Sequence, residues 1–238
     1  MKLQMRIIDL SHDIYNGMPV YPGHMRTSIF PMKTHDETQF INKSGFSSET
    51  CVIVLSDHGP THVDSETHMD SSSGAKSIDE LPLEKFYLEA ICLDVSHVQG
   101  EENYITKPIL EDALKKSGQK IRQGDAVLLY TGHFNRTYPH YDKWLFNYSG
   151  LDREATEWLC DAGCVNLGID QPSIDSSLEI KRREFPAHTV CRERKLLNIE
   201  NLGHLEKVVN QRFILSVLPL KLRGASGSPC RAVAIFND

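Results

Sequence analysis

Twelve residues, Asp57-His58-Gly59-Pro60-Thr61-His62-Val63-Asp64-Ser65-Glu66-Thr67-His68, constrain the fold more than any other stretch. His62, Asp64 and His68 follow His58 at offsets of 4, 6 and 10, all even. Side chains of an extended chain alternate between faces with period two, so all four are expected on one side. A helix would also pair 58 with 62 and 64 with 68. Gly59 and Pro60 oppose that, because both are poor helix-interior residues. The stretch reads as a strand end running into an extended loop. Any fold that accommodates it must aim several imidazoles and a carboxylate into one space. That donor set suits Zn²⁺ or Mn²⁺ better than Ca²⁺ or Mg²⁺. A polar loop with backbone-bonded histidines is the blander alternative, and four co-facing ligand-type residues argue against it.

The 238 residues are enough for one large domain or two small ones, and no linker, repeat or low-complexity tract divides them. One domain over residues 1–238 is therefore expected. A net charge of −6 offers neither a nucleic-acid footprint nor a polybasic membrane patch. No apolar run reaches membrane-spanning length, and Met1-Lys2-Leu3-Gln4-Met5-Arg6 lacks the apolar core of a secretory signal. The expected location is cytoplasmic and the expected partner a small-molecule substrate, with no nucleic acid and no membrane. The six cysteines are scattered, several in apolar runs, and read as reduced thiols. Cys160 and Cys164 lack a partner pair for zinc, and neither Cys51 nor Cys191 sits in a nucleophile motif.

Pattern predicts strands at Met5–Leu10, Ile29–Lys33, Thr50–Leu55, Glu89–Val95, Ala126–Tyr130, Cys164–Asp170, Arg212–Leu222 and Pro229–Phe236. Cys51–Leu55 is β-branched and apolar, so it is expected to be a buried strand feeding the histidines. Helices are expected over Ile78–Phe86, over Ile105–Ser117 with Gly118 as its stop, after the cap Asp152, and from Glu184 to about Lys195. Residues 11–23 form a loop dense in Pro and Gly that holds Tyr21 extended between Val20 and Pro22. Residues 131–150 form an aromatic-rich loop suited either to covering a cleft or to plain surface packing. Alternating strands and helices imply a mixed α/β fold.

His58-x-x-x-His62-x-Asp64-x-x-x-His68 resembles the signature of the cyclase family of metal-dependent hydrolases, whose members include bacterial kynurenine formamidases and isatin hydrolase. The resemblance extends to Asp9-Leu10-Ser11 with 18–23, to 124–132, to 168–175, to Pro186-Ala187-His188 and to Glu200-Asn201-Leu202. It implies a swivelling β/β/α fold, a homodimer or homotetramer, and two divalent metal ions per subunit, zinc or manganese. His58 and His62 would bind the first ion and His188 the second, with Asp64 and Glu200 bridging. His68 would be the catalytic proton donor or acceptor. Tyr21 stands where the formamidases carry a substrate-contacting tryptophan. Pro60 replaces a usual glycine and Glu66 a usual proline. Glu66 would share the facing of the cluster, adding negative charge or a ligand.

Two carboxylates and three imidazoles can hold two cations roughly 3.5–4 Å apart, which would supply a nucleophilic water near neutral pH. The expected reaction is hydrolysis of a C–N bond in a small amide, aryl formamide or cyclic amide. Lactone hydrolysis or polyketide-type cyclisation on the same scaffold, or metal and ligand binding without catalysis, are the alternatives.

Overall fold

The computed structural model describes residues 5–39 and 43–237. Among these, thirteen strands follow in chain order: β1 Met5–Asp9, β2 Ser28–Lys33, β3 Thr50–Val54, β4 His62–Asp64, β5 Tyr87–Asp94, β6 Tyr104–Ile105, β7 Ala126–Tyr130, β8 Gly150–Leu151, β9 Asn166–Ile169, β10 Leu197–Glu200, β11 Arg212–Ser216, β12 Gly227–Pro229 and β13 Val233–Asn237. Nine of them form one sheet in the order β1-β13-β11-β5-β7-β9-β10-β4-β12. Its centre, β5-β7-β9-β10, is parallel, and both flanks are antiparallel.

The parallel centre is buried on both faces, as near-continuous apolar strands require. Period-two alternation sends Ala90 and Cys92 of β5, with Ala126 and Leu128 of β7, into one core. Their neighbours Ile91, Leu93, Val127 and Leu129 enter the other. Helices Lys107–Ser117, Arg153–Asp161 and Pro186–Arg194 cover that second face through Leu110, Ala155, Leu159, Ala187 and Cys191. Gly118 ends the first of these at φ 67, a left-handed conformation that favours glycine. Asp152 Oδ1 accepts the Ala155 N–H at 2.7 Å and caps the second, as its position before the helix predicts.

The mixed α/β expectation holds, with four local corrections. β3 is not a buried strand: Cys51 and Ile53 are exposed, and it pairs only with β2 in a separate ribbon. Apolar β-branched composition reports strand propensity, but not whether a second layer covers the strand. The helical segment expected over 78–86 is two 3₁₀ turns, Ile78–Glu80 and Leu83–Lys85. β11 stops at Ser216 instead of running to Leu222. The last predicted strand is two strands, β12 and β13, parted at 230–232.

The sheet order brings the ends of the chain's functional segments together. β4 lies between β10 and β12, and β10 ends at Glu200 on the carboxyl side of the parallel strands. Crevices at such strand ends are where open α/β sheets hold ligands.

Candidate metal centre

His62 and Asp64 sit two apart on β4 and share a face. Glu200 is the direct cross-strand partner of His62 in the β4/β10 ladder. His58 arrives from the turn before β4, and His68 from the short helix Glu66–Met69 after it. The stretch is therefore not extended throughout. His68 reaches Asp64 by the i,i+4 spacing of that helical turn, Nε2 to Oδ2 at 3.8 Å. His188 comes from the first turn of helix Pro186–Arg194 and lies 3.8 Å from Asp64 Oδ2 and 3.5 Å from Glu200 Oε1. Residues more than a hundred positions apart thus converge on one carboxylate that is 0% exposed.

The ligand atoms have the arrangement a cation wants. His58 Nδ1 lies 2.7 Å and His62 Nε2 3.2 Å from Asp64 Oδ1. Despite this closeness, all three buried atoms lack a hydrogen bond of acceptable geometry. Buried polar atoms are rarely left so, because each costs about 1–3 kcal/mol. Two groups have ligand atoms within 4.8 Å of one another: His58, Asp64, His68, and His62, Asp64, Glu200. Asp64 is common to both. The donors are imidazole nitrogens and carboxylate oxygens, the set that suits zinc or manganese.

The opposite nitrogens of His58, His62 and His188 are each held by a fixed partner. His58 Nε2 lies 2.9 Å from Ser226 Oγ, which donates to Asp57 Oδ2 at 3.1 Å. His62 Nδ1 bonds the Pro60 carbonyl at 2.8 Å. His188 Nδ1 bonds Asp175 Oδ2 at 2.5 Å. Such outer bonds select the tautomer and leave the inner nitrogen free for a metal. Asn198 Nδ2 donates to Asp64 Oδ2 at 2.6 Å and steadies the shared carboxylate.

Electrostatics inside the cluster are consistent with a site built for positive charge. Burial works to raise the Asp64 pKa, yet the surrounding imidazoles hold it well below the carboxylate range. Burial and the charge of Asp64 raise Glu200. Burial works to lower His62 and His188, but the nearby Asp64 and Glu200 carboxylates, and for His188 first the bond to Asp175, raise both. His68, with 34% of its side chain exposed, is pushed down to about 4, first by burial and then by neighbouring imidazoles.

The cluster forms the floor of a cavity of about 470 Å³. Tyr21 lines it, where the loop over residues 11–23 delivers it, and burial raises its phenol pKa. Trp144 and Leu145, both nearly fully buried, bring the aromatic loop to the cavity wall, so that loop does border the cleft. Glu66 does not join the cluster. Its Oε2 accepts the Lys76 N–H at 3.1 Å and lies 3.3 Å from Lys195 Nζ. It begins the helical turn, so it points away from the face that His62 and Asp64 share.

Several residues at the site escaped the sequence reading. His24 lines the cavity with its ring 6.2 Å from that of His58 and a buried, unpartnered Nδ1. In sequence it is a lone histidine three residues past Tyr21, with no spacing partner. Ser226 lies in a Gly/Ser segment that reads only as a connector, and Asp57 only as a polar turn residue. Asp175 falls within a family-like block, but nothing local marks it as the partner of His188.

The chain matches the Cyclase family over residues 8–176. It is 30% identical over 227 residues to a kynurenine formamidase of Paracidovorax citrulli, covering 94% of each chain. A kynurenine formamidase of Erythrobacter litoralis is 27% identical over 233 residues, covering 98% of this chain and 94% of the relative. Isatin hydrolase A from Labrenzia aggregata superposes with a TM-score of 0.84 at 21% identity, covering 98% of this chain and 94% of that one. A structure described as a potential metal-dependent hydrolase with cyclase activity gives 0.73 at 23% identity, covering 99% and 100%. The swivelling β/β/α cyclase-like architecture expected from the sequence is thereby borne out, and the chain belongs to the cyclase family.

Proposed function

We propose that the chain, acting as one domain, is a metal-dependent amidohydrolase that cleaves a non-peptide C–N bond in a small aryl formamide or cyclic amide. The convergence of His58, His62, His188, Glu200 and His68 on the buried Asp64, with ligand atoms left unbonded, carries the reading. The kynurenine formamidase relatives, matched over nearly their full length, give the reaction class.

His58, His62, Asp64, His188 and Glu200 would hold two divalent ions, zinc or manganese, with Asp64 shared. Bound there, the ions would polarise an amide carbonyl and make water a nucleophile near neutral pH. The chain's own part is to fix the donors. Ser226, the Pro60 carbonyl and Asp175 orient the three imidazoles before substrate arrives. The apolar wall formed by residues such as Trp144 and Leu145 seats a ring and limits water around the scissile bond. His68, on the exposed side of the cluster, would carry the proton to the leaving nitrogen.

The test combines elemental analysis with turnover. Protein as isolated, and after reloading, is assayed on formanilide and on an isatin-type lactam. His188→Ala is expected to lose one metal equivalent. His68→Ala is expected to keep its metal and slow turnover by roughly 10²–10⁴-fold. Loss of metal from the His68 variant would make it a ligand instead. A fully loaded protein that cleaves neither substrate would sink the hydrolase reading.

A further inference from the structure

Tyr21-Pro22-Gly23-His24 forms a tight turn beside the metal centre. The His24 N–H donates to the Tyr21 carbonyl at 3.0 Å, and Gly23 sits at φ 97. Proline in second place and a left-handed glycine in third are what a type II turn requires. The turn fixes both side chains that it delivers to the cavity, with the Tyr21 and His24 rings 5.6 Å apart. The His24 ring also lies 6.2 Å from that of His58. At that separation the two rings do not bond each other. An acceptor atom fits between them, since an N–H···O bond spans about 2.9 Å.

The two nitrogens of His24 differ. Nδ1 is buried and has no hydrogen-bond partner. Among the described residues Nε2 has no partner either, but it is not enclosed, and the ring lines the cavity. Burial, then the imidazoles of His58 and His62, lower the pKa of His24, so the ring is neutral at about pH 7. A buried donor without an acceptor is rarer than a buried acceptor left without a donor. The single ring proton therefore belongs on Nε2, facing the cavity. His58, His62 and His188 are built the other way round: their outer nitrogens have fixed partners, which frees the inner ones for a cation. His24 has no such outer partner, so it is made to donate and not to ligate.

We propose that His24 is a catalytic residue whose Nε2–H donates a hydrogen bond to the carbonyl oxygen of the scissile amide. When water adds to the carbonyl carbon, a C–O bond forms and the C=O pair moves onto that oxygen. The bond from His24 strengthens as the charge develops, and His24 keeps its proton throughout. His68 takes the proton that the water gives up. The pair then returns to carbon as the C–N bond breaks, and His68 passes the proton to the leaving nitrogen. The role in the reaction rests on the amidohydrolase reading, whereas the donor itself is measurable without turnover.

The experiment compares wild type with His24→Phe, which keeps a ring but no donor, and His24→Gln, whose amide N–H stands near the place of Nε2. Formanilide is the turnover substrate. Phenylphosphonate, whose oxygens imitate the tetrahedral state, and aniline, which has no oxygen acceptor, are titrated by calorimetry into the metal-loaded proteins. His24→Phe is expected to keep its metal, to lower kcat about 10–100-fold with KM little changed, and to weaken phenylphosphonate by a similar factor while aniline binds as before. His24→Gln is expected to recover part of both losses. In nitrogen–proton NMR of the zinc-loaded protein, the imidazole signal that His24→Phe removes is expected to be the Nε2–H tautomer. Loss of metal from His24→Phe, an equal loss of affinity for phenylphosphonate and aniline, or an Nδ1–H tautomer would overturn the proposal. So would formanilide turnover and phosphonate affinity that ignore both substitutions, an outcome that leaves the hydrolase reading intact. If formanilide is not cleaved while phosphonate affinity still depends on His24, the hydrolase reading fails and the donor stands.

Discussion

Asp175 shows how much one carboxylate can settle at the residue scale. Its oxygens accept the Ala187 N–H at 2.7 Å and the His188 N–H at 3.3 Å, and so cap the first turn of the helix. The same group holds His188 Nδ1 and turns Nε2 toward Asp64 and Glu200. Asp175→Asn removes the charge that favours this tautomer. Metal affinity, measured by competition with a chromophoric chelator, is expected to fall about 10–100-fold while the far-UV circular dichroism stays native. Unchanged affinity would mean that His188 is oriented by something else.

At the scale of elements, β12 is the least conspicuous strand and among the most confining. Gly227 pairs with Asp64 across the β12/β4 ladder. A Cβ at that position would stand 2.5 Å from His58 Cε1 and 2.9 Å from the Val63 carbonyl oxygen. Real Cβ atoms do not approach so closely, and neither a strand carbonyl nor a wedged imidazole yields cheaply. Gly227→Ala is expected to displace His58, to destabilise the protein by about 1–3 kcal/mol in urea, and to lower the metal content. A variant with wild-type denaturation midpoint and full metal would contradict the packing described here. The helix Glu66–Met69 likewise explains why His68 can follow Asp64 by four residues and still face it.

For the molecule as a whole, two buried imidazoles outside the metal cluster link stability to pH. His12 is lowered to about 3 and His133 to about 4, in both cases first by burial, while each ring bonds a backbone carbonyl. Both are neutral when folded, and the unfolded chain protonates them near 6.5. The folded values are depressed, so their stabilising contribution is complete above pH 6.5 and is lost as pH falls toward 4 and 3. Each group contributes a slope of up to about 1.4 kcal/mol per pH unit in that window. Urea midpoints of chelator-treated protein between pH 7.5 and 4 should show it, and His133→Gln should reduce the slope by about one proton. Parallel profiles for the two proteins would refute the assignment. The sequence by itself determined what is local: the apolar strands, the cap at Asp152, the stop at Gly118, and the cluster from His58 to His68 with its chemistry. Its family resemblance also supplied His188 and Glu200, which no spacing rule links to Asp64. Tertiary structure alone decided that β3 lies exposed, that Glu66 turns to Lys76 and Lys195, that His24 lines the cavity, and that Ser226 and Asp175 hold the imidazoles of His58 and His188. The physical reason is range. Periodicity and capping are set by neighbours a few residues away, whereas the partners of a buried imidazole come from strands and helices that meet only when the sheet closes.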